Sequence, residues 1–537
     1  INAGYFFFIK TISNIDSINK QIFVLEKESN LLNEVLIVSK PKSITQKARL
    51  SSQSITAIDI NELKEKTITF NDALKQSSGL KVRKEGGKGN EFTYLLNGLS
   101  GKAIPLFFNN IPFDYAGYGK TMANLSTLFI NNISIYKGVT PIKIGTDALG
   151  GAINISNKLA SGNEMKIAYE IGSFNSHETA GLIHQNLSNN SSLQFITSYT
   201  NSENNYEIGG GNNTQIFIVD ENFKKQFIKV KNFHNSFENF LVRPSFNYQK
   251  NNTNLNIWMS YNDLKKEIQH NRFDPEIVVG EAHWSDQILA TGISLKQDSI
   301  FNKKSKLSAN FSFTNEKLHL TDTSNNTYNW LGEIVGIKTT SGELLNYIDN
   351  PFNIIYKTTK FYASLYSSFK LTPKSSLLFG LTSSLESRRS EDLLEKNETI
   401  IPSLLLKNIF ALGYDTQLRK LKNSFSIKYY NHKARVTEFS DIEEASNTTA
   451  RIKNDFFGVT NALSYKLSEA SVLKASFAYA ARMPDADETF GNGVFYFPNK
   501  NLVPEKSNNL NFGHSYHHKI ILVETNLFFR KTKDLIF

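Results

Sequence analysis

One stretch of this 537-residue chain invites a catalytic reading: AGYGKT, residues 116–121. Gly119-Lys120-Thr121 would end a phosphate-binding loop. That loop needs a glycine where this chain has Asp114, so the nucleotide reading fails. Neither H-E-x-x-H nor G-x-S-x-G occurs. The absence of cysteine removes disulfides, thiolate metal sites and cysteine nucleophiles. All ten histidines lie from His177 onward, in the part of the chain that alternates. With no nucleophile–base constellation, an enzyme is not expected, and neither a resident cofactor nor a metal site is called for. The net charge of +10 is not gathered into a basic cluster interleaved with aromatics, so no nucleic-acid partner is expected.

The elements that would position any site follow from patterning. Beyond Lys158 the chain alternates. In FFGVTNALSYKL, Phe457, Val459, Leu463, Tyr465 and Leu467 share one face, and Gly458, Thr460, Ala462, Ser464 and Lys466 the other. SSLLFGLTSSLESR sets Leu377, Phe379, Leu381 and Leu385 against Gly380, Thr382, Ser384, Glu386 and Arg388. Period two predicts half-buried strands. About 15 of them begin near residues 164, 177, 191, 239, 253, 287, 305, 357, 374, 405, 421, 454, 469, 506 and 519. Short turns (LSNNSS, QKNNTN, FNKKSK, LTPKSS, RKLKNS, KLSEAS, YHHK) alternate with loops that, apart from the first near FNS, are expected to run from about 16 to nearly 40 residues. A transmembrane β-barrel sorts its connections in this way, with apolar faces toward lipid and polar faces lining the interior. No run of 18 apolar residues exists, so no transmembrane helix is expected. An open edge is costly in lipid, and bacterial single-chain barrels have even strand numbers. Together with a start that lacks Met, this leads to the expectation of a fragment cut at both ends.

Leu31 to Lys158 differs: it is rich in glycine and reads as mixed α/β. NELKEKTITFNDALKQS, Asn61 to Ser77, predicts a short helix ending before Gly79, with Asp72 capping its second part. Gly138 and the pair Gly150-Gly151 mark places of sharp turning or close backbone approach, the pair just before the strand AINIS. Four motifs then occur in order: GLKVR, LFFNNIP, INNISIYKG and IGTDALGGAINIS. In that order they resemble the plug domain of TonB-dependent outer-membrane receptors. ARMPDADETFG with PNKNLVPEKSNNLNFG, and then NLFFRKTKDLIF, resemble a late barrel loop and its strands. The chain departs from the family where acids are usual, at Asn109-Asn110 and Ser134, and has Leu96-Asn97-Gly98 where Arg-Gly is frequent.

The resemblance implies a mainly β fold: an α/β plug inside an antiparallel barrel, about 15 of the family's 22 strands being present. It implies a leader or signal-peptide remnant at 1–32, a TonB box at 33–40, a plug at 41–158 and a partial barrel at 159–537. The box would be carried by Glu34, Val35, Leu36, Ile37 and Val38 of LLNEVLIVSK. An extended segment of that kind pairs with a partner's sheet edge, here the inner-membrane TonB complex driven by proton-motive force. Two plug loops would meet the ligand: KEGGKGN, with Lys84, Lys88 and Asn90, and YAGYGKT, with Tyr115, Tyr118 and Lys120. The lysines suit anionic chelates and the tyrosines suit aromatic parts. His283-Trp284 and Tyr328 to Trp330 are further loop candidates. The implied activity is energy-coupled import of a scarce chelate, foremost a ferric siderophore, by a monomeric barrel in the lipid of a Gram-negative outer membrane. Cobalamin import and a passive pore are the alternatives. Haem is disfavoured because no histidine precedes His177 and none lies in Ala481 to Glu505.

Overall fold

The computed structural model describes residues 43–63, 69–84, 86–90, 92–118, 125–145, 147–157, 162–210, 216–270, 277–300, 304–344, 351–394, 397–398, 401–438, 448–491, 499, 501–518 and 521–536. Residues from Ile44 onward form one compact unit, to which all that follows refers.

The first part opens with helix α1 (Ile44–Arg49) and strand β1 (Ile55–Asp59). Helix α2 (Phe70–Leu74) and strands β2 (Leu80–Lys84), β3 (Phe92–Leu96) and β4 (Leu99–Ser100) follow. Then come β5 (Leu106–Phe108), β6 (Ile111–Pro112), β7 (Ile130–Lys137) and β8 (Gly151–Asn157). Five of these strands make a sheet in the order β1-β7-β8-β5-β6, with only β5–β8 parallel, and β2-β3-β4 make a second. Their core mixes aliphatic and aromatic side chains: Leu74, Ile133, Ile135, Ile153 and Ile155 are fully buried in one cluster with Phe70 and Phe108.

The predicted helix Asn61–Ser77 is a correction. A 3-10 turn (Ile60–Leu63) and α2 flank residues outside the described set. Thr69, not Asp72, is the N-cap: its Oγ1 accepts from Asp72 N at 3.2 Å and donates to Asp72 Oδ2 at 2.7 Å. A hydroxyl at this position both caps and orders the acid three residues on. The Asn109-Asn110 departure also has a backbone reason. Both residues have positive φ (53° and 66°) in the two-residue turn between β5 and β6, which Asn tolerates well.

Fifteen long strands form a single antiparallel path. They are β9 (Glu164–Gly172), β10 (Ser176–Asn186), β11 (Ser191–Ser202), β16 (Phe237–Lys250), β17 (Thr253–Glu267), β18 (His283–Asp298), β19 (Ser305–Asp322), β22 (Phe352–Thr372), β23 (Ser375–Asp392), β25 (Ser403–Leu418), β26 (Leu421–Glu438), β27 (Thr448–Lys466), β28 (Ser471–Arg482), β29 (Glu505–His518) and β30 (Ile521–Lys533). Each strand pairs with its neighbour in the path, as expected from the alternation. Small hairpins decorate the loops: β12 (Glu207–Gly209) with β15 (Lys229–Lys231), β13 (Phe217–Val219) with β14 (Lys225–Phe227), and β20 (Asn326–Tyr328) with β21 (Ile334–Ile337). The two-residue β24 (Asn397–Glu398) pairs with β23. The connections at 393–402 and 439–447 are shorter than expected, because the strands beside them run on into what sequence patterning left as loop.

The two faces of this sheet differ sharply. Phe311, Phe379, Phe410, Leu412, Ile427, Phe457 and Phe512 stand exposed on the outer face. The inner face carries buried polar residues such as Thr314, Thr382, Lys428, Thr460 and Asn509. Apolar residues facing out and polar residues facing in is the pattern of a lipid-embedded barrel.

Candidate functional site

The inner face is where the two parts meet. Contacts run nearly all the way round, and they are of two kinds. Apolar residues of the inner part sit in small-residue sockets. Phe129 packs against Ala180, Leu182 and Ile196 of β10 and β11. Val139 lies against Ala462 and Ala478 of β27 and β28, and Ile142 against Leu378 and Ala411 of β23 and β25. A Cβ at Gly380 or Gly413 would collide with the Ile142 side chain, so these two wall glycines hollow out its seat.

Toward the short turns, wall lysines grip α1. Lys474 Nζ donates to Ala48 O (3.2 Å) and Gln53 O (2.8 Å), and Lys422 Nζ to Leu50 O (2.7 Å). These carbonyls lie at and just past the helix C-terminus, where a cation is favoured, and the Ala48 carbonyl accepts from Ser51 N at 3.1 Å as well. Nearby, Lys137 Nζ approaches Glu524 at 3.5 Å and donates to Ser78 Oγ at 2.8 Å. Burial holds this ammonium below its ordinary pKa, with Glu524 acting against the shift.

Toward the long loops the contacts are charged or polar. In the glycine-rich loop, the Asn204 side chain bridges Lys88 as a strand would: Oδ1 accepts from Lys88 N and Nδ2 donates to Lys88 O, both at 2.8 Å. Lys88 Nζ pairs with Glu178 of β10 at 3.2 Å. Gly89 has φ +82°, and a Cβ there would run into the Phe237 ring. Asn90 is half-buried. Lys84 closes β2. Lys120 and Glu34 to Val38 lie outside the described residues.

Of the two predicted tyrosines, Tyr115 is half-buried, 5.6 Å from the Tyr362 ring. Tyr118 is buried, stacked on Phe113 at 4.9 Å and 5.1 Å from the Arg243 guanidinium of β16. Burial raises both phenols above their ordinary pKa, so both remain neutral hydroxyls. Arg243 also donates to Ala116 O at 2.6 Å and lies 4.0 Å over Trp258, fixing this loop to the wall. The glycine expectations have separate causes. A Cβ at Gly151 would strike the Tyr136 carbonyl, one at Gly150 the Arg530 guanidinium, and one at Gly138 the Asn511 amide. Of the loop candidates, Trp330 is buried with Val230 and Val278, while Tyr328 donates to Glu281 Oε1 at 2.7 Å. His283 Nδ1 lies 2.9 Å from the Glu281 carbonyl, and Trp284 is half-buried on β18.

Sequence reasoning missed the element that joins plug, wall and loop. After β28 the chain makes a short helix α3 (Ala486–Phe490), capped by a full box between Asp485 and Glu488. The Asp-x-x-Glu spacing in PDADETF was its readable signal. Asp485 pairs with Lys102 at 2.5 Å, and Asp487 pairs with Arg388 at 2.8 Å. Arg482 is held by Glu488 (2.9 Å) and Glu505 (2.6 Å), and Met483 N donates to Asp147 (2.9 Å). Behind Arg388 the charges continue along the wall through Glu386 to the buried pair Lys360–Glu316. Among the described residues no His, Cys, Asp or Glu group is arranged to hold a metal ion.

Residues 47–152 match the family model described as the TonB-dependent receptor plug domain, and 168–537 match the one described as TonB-dependent receptor-like β-barrel. Among solved structures, the FrpB iron transporter from Neisseria meningitidis superimposes with a TM-score of 0.67 at 13% identity, covering 90% of this chain and 73% of that one. The ferric yersiniabactin uptake receptor FyuA from Yersinia pestis gives 0.61 at 12%, covering 90% and 73%. The copper transporter OprC gives 0.64 at 12%, covering 90% and 72%. At these identities the likeness is one of fold. No curated protein matches the chain in sequence.

Proposed function

The chain belongs to the TonB-dependent receptors, and from that premise we propose that it imports a scarce metal chelate, with a ferric siderophore as its cargo. Family members are outer-membrane transporters that draw on TonB. The observation that carries the reading is the filled lumen. The plug is fastened to the wall from Phe129 on β10 and β11 to Asn97, whose carbonyl accepts from Arg530 of β30 at 2.7 Å. A passive pore has no use for such a filling. A solute passes only if the plug is moved, and work must come from outside this membrane.

The segment Glu34 to Val38 is the proposed point of attachment for that work, through main-chain pairing with TonB. Lys84, Lys88 and Asn90, with Tyr115 and Lys120, are the proposed ligand contacts, and Tyr118 supports them from beneath. The siderophore choice draws on the family resemblance and on two structural neighbours whose cargo is iron or a ferric siderophore. Cobalamin is the second reading, because both glycine loops resemble those of cobalamin transporters.

The test is growth of a receptor-deleted strain under iron limitation, complemented with the full-length gene and supplied with single ferric siderophores or with cobalamin. Rescue by at least one siderophore, abolished on deleting Asn33 to Val38, is expected. Rescue by cobalamin alone would move the assignment to the second reading. Rescue that survives the deletion would remove the coupling role.

A further inference from the structure

Between plug and wall, on the short-turn side, lies a small polar cavity that chelate import does not use. It measures about 30 Å³, room for one small ion and far too little for a chelate. Cations from three elements line it: Arg49 at the end of α1, Lys137 at the end of β7 and Lys474 on β28. Glu524 of β30 is the one acid among the lining residues. Its side chain is 29% exposed, so the cavity is not sealed from solutes.

The donors here outnumber the acceptors. An ammonium has three N–H donors and a guanidinium five. Lys474 spends two on Ala48 O and Gln53 O, and Lys137 spends two on Ser78 Oγ and Glu524 Oε2. Arg49 Nη1 is shut off from solvent and has no acceptor among the described residues. Glu524 Oε2 already accepts from Thr56 Oγ1 at 3.1 Å and Ser78 Oγ at 3.3 Å besides Lys137. His514, also in the lining, is engaged by Ser471 Oγ at 2.8 Å. Lys474 is repelled by Lys137, Lys422 and Arg49, with Glu524 alone opposing them. Exposed lysines tolerate such neighbours, but the Lys137 side chain is only 4% exposed, and burying charge without a full counter-charge is costly.

We propose that this cavity binds a small tetrahedral oxyanion, phosphate, which bridges Arg49 and Lys137 of the plug to Lys474 of the wall. The excess of positive charge selects an anion. Unspent donors arriving from three elements select one with several acceptor oxygens over chloride. The volume excludes the cargo itself. Helix α1 is the first described element of the plug after the proposed attachment segment Glu34 to Val38, so the bound anion would fasten the plug at the end nearest that segment in sequence. The inference holds whatever the cargo is.

The test is calorimetric titration of phosphate into the full-length receptor in a neutral detergent, with thermal melting in parallel, at constant ionic strength in chloride. Wild type is compared with R49Q and with K374Q, an exposed lysine in a short turn outside the cavity. Wild type should bind phosphate at one saturable site and melt higher with it, as bound ligand stabilises the folded state. Sulfate should compete. In chloride R49Q should melt no lower than wild type, because a like-charge contact is relieved. Its phosphate affinity should fall about tenfold, the loss of one charge-assisted hydrogen bond. K374Q should bind as wild type does. Undiminished binding by R49Q, or an equal loss in K374Q, overturns the proposal. So does the lack of saturable phosphate binding by wild type, whatever the variants do. Equal stabilisation by acetate overturns the choice of a tetrahedral oxyanion.

Discussion

The plug meets the barrel through two seams built on different physics. One is steric: Phe129, Val139 and Ile142 enter hollows made by Ala and Gly of the wall. The other, on the long-loop side, is electrostatic: Lys88–Glu178, Lys102–Asp485 and the Asp147–Met483 bond, backed by Arg482 and Arg388. Steric seats do not respond to a solute that never reaches them. Partly exposed ion pairs do respond, because a charged ligand arriving beside them changes their field. The difference assigns the seal to the sockets and ligand sensitivity to the charged seam.

The largest expected effect lies in the charged seam, where it is most buried. Arg482 is the shared partner of two carboxylates, and the Arg482–Glu505 side chains are only 6% and 4% exposed. Removing one member of such a group leaves uncompensated buried charge and costs about 3–5 kcal/mol. R482A should melt well below wild type and lose chelate binding. R482M/E488Q/E505Q, which removes the charge from all three groups, should recover much of the stability. If the single variant melts like wild type, Arg482 does not organise this seam.

The steric seam breaks in two opposite ways. I142A opens a cavity where the seat was and should cost about 2–4 kcal/mol. G380V fills the seat and should cost about 1–3 kcal/mol through overpacking. Both should let a large antibiotic normally excluded by the outer membrane leak into cells, measured as lowered resistance. Neither should alter ligand affinity in a solubilised-protein binding assay. A variant that changes affinity but not leakage would reverse the roles of the two seams.

How much of this was legible depended on the range of the interaction. The barrel strands were readable because lipid on one side and water on the other enforce period two on every strand, as in Leu377 to Arg388. The socket glycines were visible as letters, yet nothing local announces that Gly380 and Gly413 serve Ile142, more than two hundred residues away. Asn204 was hidden for the same reason: an asparagine near a loop base is unremarkable until Lys88 arrives beside it. The α2 cap was misassigned to Asp72 because an acid and a hydroxyl three residues apart are both cap formers, and only geometry shows which accepts from which. Asp485 was within reach of a capping-box search, but its pairing with Lys102 was not.

The smallest effect isolates the exposed end of the charged seam. The Lys102–Asp485 side chains are 46% and 32% exposed, so solvent screens them and the pair contributes at most about 1 kcal/mol. D485N keeps a capping residue at the head of α3 while removing the charge, so helix and ion pair are separated in one variant. Burial pushes the Asp485 carboxyl up, but the Lys102 ammonium beside it outweighs this and holds it below the usual carboxylate range. A depressed carboxylate contributes stability above its unfolded pKa of about 3.9 and loses it as pH falls through the lower folded value. Lys102 is raised in turn, burial opposing and Asp485 prevailing, so its share is lost only as pH rises beyond the ordinary lysine range. The difference in melting temperature between wild type and D485N should therefore be small and flat from about pH 5 to about pH 9, should begin to shrink below about pH 4, and should vanish once the pH is below the depressed folded value. It should also shrink in high salt, whereas the I142A deficit should not, since screening acts on charges and leaves a cavity untouched. A D485N deficit that persists in acid or in salt would mean that the loop is held by the helix cap and packing, and the electrostatic seam would end at Arg482.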